Sequence, residues 1–333
     1  MKTAVLLLNF GEPEHATMEE VVPFLERIFN LNGSLEGKAG EEARSRARRL
    51  AEDRAPGLIA EYQLIGGSPL HAQARQQRDL LEAELRRRGH DAIAISGMQF
   101  TDPFIVDALK EARAAGAERI IALPVYPLCG PSTTVAALQQ VEADLRQQHW
   151  SVPVFKITGW HRHPDYIALR ADAIRRLLEE NGLSFADPRT KLVFSAHGTP
   201  LKYIREGSLY EVHVKELCEL LADAMGAPDF VIGYQNHTNR PIDWTQPDVD
   251  SVIASVDADR VVVDPVSFMH EHSETLAELD HGLRKVAEQR GLGFFRVPIP
   301  YASAAFTTVL ADLVEPFVTK DRVSRAHVSG FAP

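Results

Sequence analysis

Two separated segments carry residue types that can move protons and meet a metal ion. Phe194-Ser195-Ala196-His197-Gly198-Thr199-Pro200 ends an apolar run in a histidine followed by Gly and Pro. It reads as a strand delivering an imidazole to a loop. The second segment, Phe268 to Asp280, sets His270, Glu271, His272 and Glu274 at the mouth of a helix. Glu274 and Glu278 then stand i, i+4 on one helix face, with His281 one turn on. Like charges in such a row repel unless a cation, protons or solvent compensate, so the row suits metal delivery or proton passage. Each segment alone also has a plainer reading. His197 fits a loop histidine that hydrogen-bonds locally, and acids at a helix start complement the macrodipole. There is no HExxH and no cysteine ligand set, so the pattern favours transient over permanent metal contact. A GxSxG elbow is absent, and Gly66-Gly67 belongs to neither a P-loop nor a GxGxxG motif.

Short apolar runs must position these residues. Strand patterns occur at 3–9, 91–96, 119–124 and 152–157, and again at 191–195, 229–234, 260–266 and 293–297. Helical patterns lie between them at 73–88, 102–115, 131–148, 164–181, 207–225 and 273–289, with Asp102 expected to cap the second. Alternating strands and helices predict parallel sheets covered by helices. The expected fold is α/β, with two similar domains of about four strands each: residues 1–155, residues 156–320 carrying His197 and the Glu274 helix, and a loosely ordered tail at 321–333. In such folds ligands bind beyond the carboxyl ends of strands. Asn9-Phe10, Gln99-Phe100, Tyr126, Ser132-Thr133, His197, Gln235-Asn236-His237 and the His/Glu cluster all fall at such ends, which favours one shared cleft.

Composition narrows the function classes. The chain has 333 residues and a net charge of -10. Nucleic acid is therefore an unfavourable partner, since phosphate binding needs clustered basic charge. Only two cysteines occur, Cys129 and Cys218. They match no iron–sulfur spacing and suit free thiols in a reducing cytoplasm. The first apolar run, ending at Asn9-Phe10-Gly11, is too short for a membrane span and reads as a buried strand. The stretch 35–54 is charged, with Arg44, Arg46, Arg48 and Arg49 close together. It fits either a solvated helix or a surface for acidic substrate groups.

The chain resembles the ferrochelatase family from Leu6 to about Val314. The resemblance rests on Leu7-Leu8-Asn9-Phe10-Gly11-Glu12-Pro13, Tyr62-Gln63-Leu64-Ile65-Gly66-Gly67-Ser68-Pro69-Leu70 and Leu123-Pro124-Val125-Tyr126-Pro127. It continues in Ser132-Thr133-Thr134, Phe194 to Pro200, Tyr234-Gln235, Trp244 with Pro247, and Ser267 to Asp280. It implies two Rossmann-like domains with a porphyrin cleft between them, and insertion of Fe(II) into a porphyrin with release of two protons in haem biosynthesis. By the same resemblance His197 is a metal ligand, proton acceptor or both, and Glu274 is the catalytic, metal-facing glutamate across the ring. Glu271, His272 and Glu278 belong to a proton or metal relay along a helix with a π-type turn. Phe10, Gln99, Phe100, Tyr126, Ser132, Thr133 and Trp244 take substrate-binding positions. Fe(II) is then a substrate, and no permanently bound cofactor or iron–sulfur cluster is expected. The chemistry asks for a neutral histidine, which burial would favour.

Departures from the pattern bear on the substrate. The family commonly has Arg-Tyr where this chain has Gln99-Phe100, which passes propionate anchoring to other groups, with Arg27 or the Arg44–Arg49 set as candidates. The third acid of the ladder is replaced by Gly282, leaving a shorter relay or one that uses His281. The Tyr234-to-Trp244 interval resembles the Gram-positive, coproporphyrin-using branch, whereas Phe10 stands where that branch usually has Tyr. Protoporphyrin IX and coproporphyrin III both stay open. A cobalt- or sirohydrochlorin-type chelatase and a non-catalytic tetrapyrrole-binding protein are the rival readings. Phe24, Leu25, Ile28 and Phe29 fit either peripheral contact with a bilayer or core and porphyrin contacts.

Overall fold

The computed structural model describes residues 2–31, 33, 40–236 and 242–319; His237 and the 321–333 tail lie outside them. Among the described residues, eight strands form two all-parallel, four-stranded sheets. The first holds β1 (Thr3–Asn9), β2 (Ala92–Met98), β3 (Arg119–Pro124) and β4 (Val154–Lys156), in the order β2-β1-β3-β4. The second holds β5 (Thr190–His197), β6 (Phe230–Gln235), β7 (Arg260–Pro265) and β8 (Gly293–Arg296), in the order β6-β5-β7-β8. The two orders are the same. Each reverses direction beside its first strand, which opens a crevice at the carboxyl ends of β1/β3 and of β5/β7.

The helices are α1 (Met18–Leu31), α2 (Gly40–Ile65), α3 (Leu70–Arg87), α4 (Ile105–Ala114), α5 (Ala136–Gln147) and α6 (Pro164–Glu180). They continue as α7 (Leu201–Arg205), α8 (Tyr210–Ala224), α9 (Val249–Ser255), α10 (Arg284–Gln289) and α11 (Ala304–Val318). Two π-helical segments, Pro131–Val135 and Glu274–Leu283, lead into α5 and α10. α4 starts later than its Asp-Pro pattern suggests. The Pro103 carbonyl accepts the Met98 N–H, which ties that turn to the end of β2 and leaves Phe104, not Asp102, as the cap.

Burial explains the layers. The β1 side chains alternate, as a strand requires. Ala4, Leu6 and Leu8 face α4 and α5 together with Ile105, Leu109 and Val141. Val5 and Leu7 face the other way, into a cluster that runs through Leu81, Ile121, Tyr166 and Ile174 to Phe194, Val262, Phe306, Leu310 and Val314. That cluster joins the two sheets. Its last members lie on α11, which packs on both α3 and α6. Arg88 at the end of α3 donates to Asp312 at 2.6 Å and Glu315 at 2.8 Å, and Arg119 at the start of β3 donates to the Val318 carbonyl at 2.7 Å. A third cluster covers the outer face of the second sheet, where Val193, Val261 and Val263 meet Val249, Ile253, Leu279 and Leu283. A fourth, with Val21, Phe24, Leu25, Ala51, Ala55, Leu58 and Tyr62, pairs α1 with α2 above the cleft. Among the described residues no helix is long and apolar enough to cross a membrane.

Candidate active site

Both crevices open into one cleft. Its walls come from Asn9, Phe10 and Glu12 at and beyond the end of β1, Tyr126 and Leu128 after β3, His197 and Gly198 at the end of β5, and Ser267 to His270, His272 and Ser273 after β7. Phe24, Leu25, Ile28, Phe29 and Leu58 from α1 and α2 form an apolar roof, and Trp244 closes one side. Two glycines keep the loops tight. Gly11 has φ 85°, and a Cβ there would strike the Thr101 hydroxyl. Gly198 lies against the Gln235 carbonyl, which a Cβ would approach to 2.8 Å.

His197 is the last residue of β5 and is fixed from several sides. Its N–H donates to Ser267 Oγ at 2.9 Å, and its carbonyl accepts from Tyr210 Oη at 3.0 Å. Its Nδ1 meets the Gly198 carbonyl, which assigns the proton to Nδ1 and turns Nε2 to the cleft. Nε2 then lies 3.5 Å from Glu274 Oε1. Glu274 opens the π-helical segment, its N–H donating to His272 Nδ1 at 3.1 Å and its carbonyl accepting from Gln235 Nε2 at 3.0 Å. Gln235 Nε2 also reaches Glu278 Oε2 at 3.2 Å, and Ser195 Oγ holds the other end of that amide at 3.0 Å. Ser195 thus orients the amide that spaces the two glutamates. Phe268 stands edge-on to both the His197 and His272 rings.

The electrostatics correct one expectation. Burial does penalise the His197 cation, but the Glu274 carboxylate, its hydrogen bond, the Gly198 carbonyl and Glu278 outweigh it and push the imidazole up to about 9. With Glu274 beside it, His197 is therefore protonated and ion-paired rather than neutral. His270 behaves in the opposite way. Burial, then neighbouring His272, holds it down to about 3, and its Nε2 is buried in the wall with no hydrogen-bond partner among the described residues. Burial also raises the Tyr126 phenol, so it enters the cleft as a neutral hydroxyl.

Of the residues singled out in the sequence, His197, Glu274, Glu278, His272, Phe10, Tyr126, Ser132, Thr133 and Trp244 share the cleft wall. Glu271, Gln99 and Phe100 do not line it. The Glu271 carboxylate turns away to Arg296 at 3.0 Å, while the same guanidinium grips Asp280 at 2.7 and 2.8 Å. Gln99 is buried behind the wall, its amide donating to the Ser132 carbonyl at 3.3 Å. Phe100 backs Phe10, ring centroids 4.5 Å apart. The candidate anchors Arg27 and Arg44–Arg49 are outside the cleft as well. Arg27 donates to the Phe100 carbonyl and covers the Phe104 ring, and Arg44 and Arg48 pair with acids on the exposed helix surface. The sequence reading missed Arg54. Among the described residues that line the cleft it is the only guanidinium or ammonium, paired with Glu61 at 2.7 Å. Its signal was its place, one helical turn before Leu58 and two before Tyr62, both of them cleft residues.

Comparisons with known proteins agree with this geometry. The ferrochelatase family model matches residues 2–317. A relative named ferrochelatase from Cyanothece sp. is 33% identical over 324 residues, covering 94% of this chain and 82% of its own. One from Aquifex aeolicus is 32% identical over 323 residues, covering 95% and 99%. Among solved structures, SirB from Bacillus subtilis with Fe3+ superposes with a TM-score of 0.55 at 10% identity, over 94% of this chain and 96% of that one. CbiX, described as the terminal enzyme of siroheme biosynthesis in denitrifying bacteria, gives 0.51 at 12% identity over 95% and 99%. At these identities the two structures support the two-sheet fold alone.

Proposed function

The chain belongs to the ferrochelatase family and is a porphyrin metal chelatase that inserts iron in haem synthesis, and on that premise we propose that His197 and Glu274 carry the reaction from opposite faces of the ring. The observation behind this is their direct pairing in one cleft formed by both halves. A macrocycle cannot lie between groups 3.5 Å apart, so ring entry opens the ion pair. As the pair parts, the His197 proton passes to the Glu274 carboxylate and out past Glu278, and burial then favours the neutral imidazole. The opening thereby turns His197 into the acceptor for a pyrrole N–H proton. Glu274, with Glu278 one turn behind, meets the incoming ferrous ion and carries charge away; His and carboxylate ligands suit Fe(II) held loosely enough to release it. The grip of the apolar roof supplies the binding energy that buckles the ring toward the metal. No resident cofactor enters this scheme, and a cytoplasmic setting suits the two cysteines, neither of which is disulfide-bonded.

The lining also bears on the substrate. One guanidinium, Arg54, paired with Glu61, lines the cleft beside the apolar Phe24, Leu25, Ile28, Phe29 and Leu58. That wall suits a porphyrin with two carboxylates and apolar substituents better than one with four carboxylates, since each unpaired buried charge is costly. Protoporphyrin IX is accordingly the favoured substrate. The test is anaerobic Fe(II) insertion with protoporphyrin IX and coproporphyrin III in parallel, followed by the metalloporphyrin absorbance. Faster turnover of coproporphyrin III would reverse the substrate assignment, and no insertion into either would overturn the reading.

A further inference from the structure

Glu12 is a buried carboxylate of the first half that touches the start of the Glu274 helix. It is 6% exposed and follows β1. Its carboxylate accepts from Ser273 Oγ at 2.5 Å, from the Ser273 N–H at 3.3 Å, and from Ser68 Oγ in the turn before α3. Its own carbonyl is held by His71 Nε2 at 2.7 Å. Ser273 is the N-cap of the π-helical segment, yet its side chain caps nothing within that segment. The amides that open a helix need acceptors, and an anion there also meets the positive end of the dipole. Here the acceptor for Ser273 comes from the other half of the molecule. The next amide, that of Glu274, is held by the His272 ring. The backbone that aims the Glu274 carboxylate is thus pinned on one side by Glu12. Tyr62 packs against the same spot, its phenol raised by burial and then by the Glu12 charge, so it stays a neutral hydroxyl beside the carboxylate.

We propose that Glu12 is a positioning residue for metal insertion: by capping Ser273 across the interface it sets Glu274 from the other half of the molecule. The proposal rests on the chelatase reading. The wild-type insertion rate tests that reading, and variant-to-wild-type ratios test this one. In Glu12→Ala, kcat should fall about 10- to 100-fold, the effect of removing a charge-assisted hydrogen bond and misplacing a reacting group, while the KM for porphyrin stays within about twofold. Ser273→Ala removes only the hydroxyl and should lower kcat less. The double variant should be no slower than Glu12→Ala alone, because both changes break one interaction. Glu12→Gln keeps an acceptor oxygen and should recover part of the rate. Wild-type kcat in Glu12→Ala, or losses that multiply in the double variant, would overturn the proposal. If Glu12→Ala does not fold, Ser273→Ala decides: reduced kcat at an unchanged melting temperature supports it, and wild-type kcat overturns it.

Discussion

His197 Nε2 and Glu274 Oε1 face each other at 3.5 Å, one at the end of β5 and the other at the start of the π-helical segment that follows the neighbouring strand β7. The histidine's raised proton affinity is the measure of that pairing. A group whose folded pKa is raised contributes stability below its unfolded value, near 6.5, and that contribution is lost as pH rises through about 9. In Glu274→Gln, burial acts with less opposition, and the imidazole should titrate at least about one unit lower. NMR of the ring protons in the porphyrin-free protein follows this directly. A titration that stays near 9 in the variant would remove the ion pair as its cause.

Removal of the imidazole should separate chemistry from binding. His197→Ala is expected to lower kcat by about 10²- to 10⁴-fold, the range for a lost general base. The porphyrin should still enter, because the apolar roof is untouched. Initial insertion rates and porphyrin binding measured by absorbance check the two halves of this statement. A variant with wild-type rates would place the proton acceptor elsewhere.

Arg54 makes a different prediction. A guanidinium that anchors a carboxylate contributes to binding in the ground and transition states alike, so Arg54→Ala should raise the porphyrin KM about 10-fold or more and leave kcat nearly unchanged. The same comparison with a porphyrin whose carboxylates are esterified should show no difference between wild type and variant. An equal effect on acid and ester would mean that Arg54 shapes the cleft without holding a carboxylate.

Arg170 on α6 and Asp264 at the end of β7 form an ion pair with both side chains fully buried. Breaking such a pair strands a charge, at about 3–5 kcal/mol. Asp264→Ala should therefore lower the urea midpoint sharply, whereas Arg170→Met combined with Asp264→Leu should recover much of the loss. A single variant as stable as wild type would show the pair to be dispensable.

Much of the scaffold was legible because buried strands announce themselves. Val261-Val262-Val263 is apolar on both faces and reads as an interior strand without any knowledge of its neighbours. His197 and Glu274 were legible for a related reason: one ends such a strand and the other opens the helix that follows the next, so placing the strands placed them. What stayed hidden depends on partners distant in sequence. Glu271 looked like its neighbours until β8 brought Arg296 to it. Gln99 and Phe100 sit at a strand end, but the β1 loop takes their backbone N–H groups through the Asn9 and Phe10 carbonyls and turns them behind the wall. Arg54 lies in a charged stretch where Arg44, Arg48 and Arg49 are exposed. Only the packing of α1 on α2 decides which one faces inward.

The course of α11 has a mechanical meaning. The last described helix leaves the second sheet and finishes against α3 and the start of β3, where Arg88 and Arg119 hold it. The two halves are therefore buckled together rather than strung in series. The floor of the cleft is fastened, and movement that admits a ring is confined to the roof and the loops. In urea the two sheets should melt in one transition, since the second half cannot unravel without uncovering the first. Two separated transitions would mean that the buckle is open.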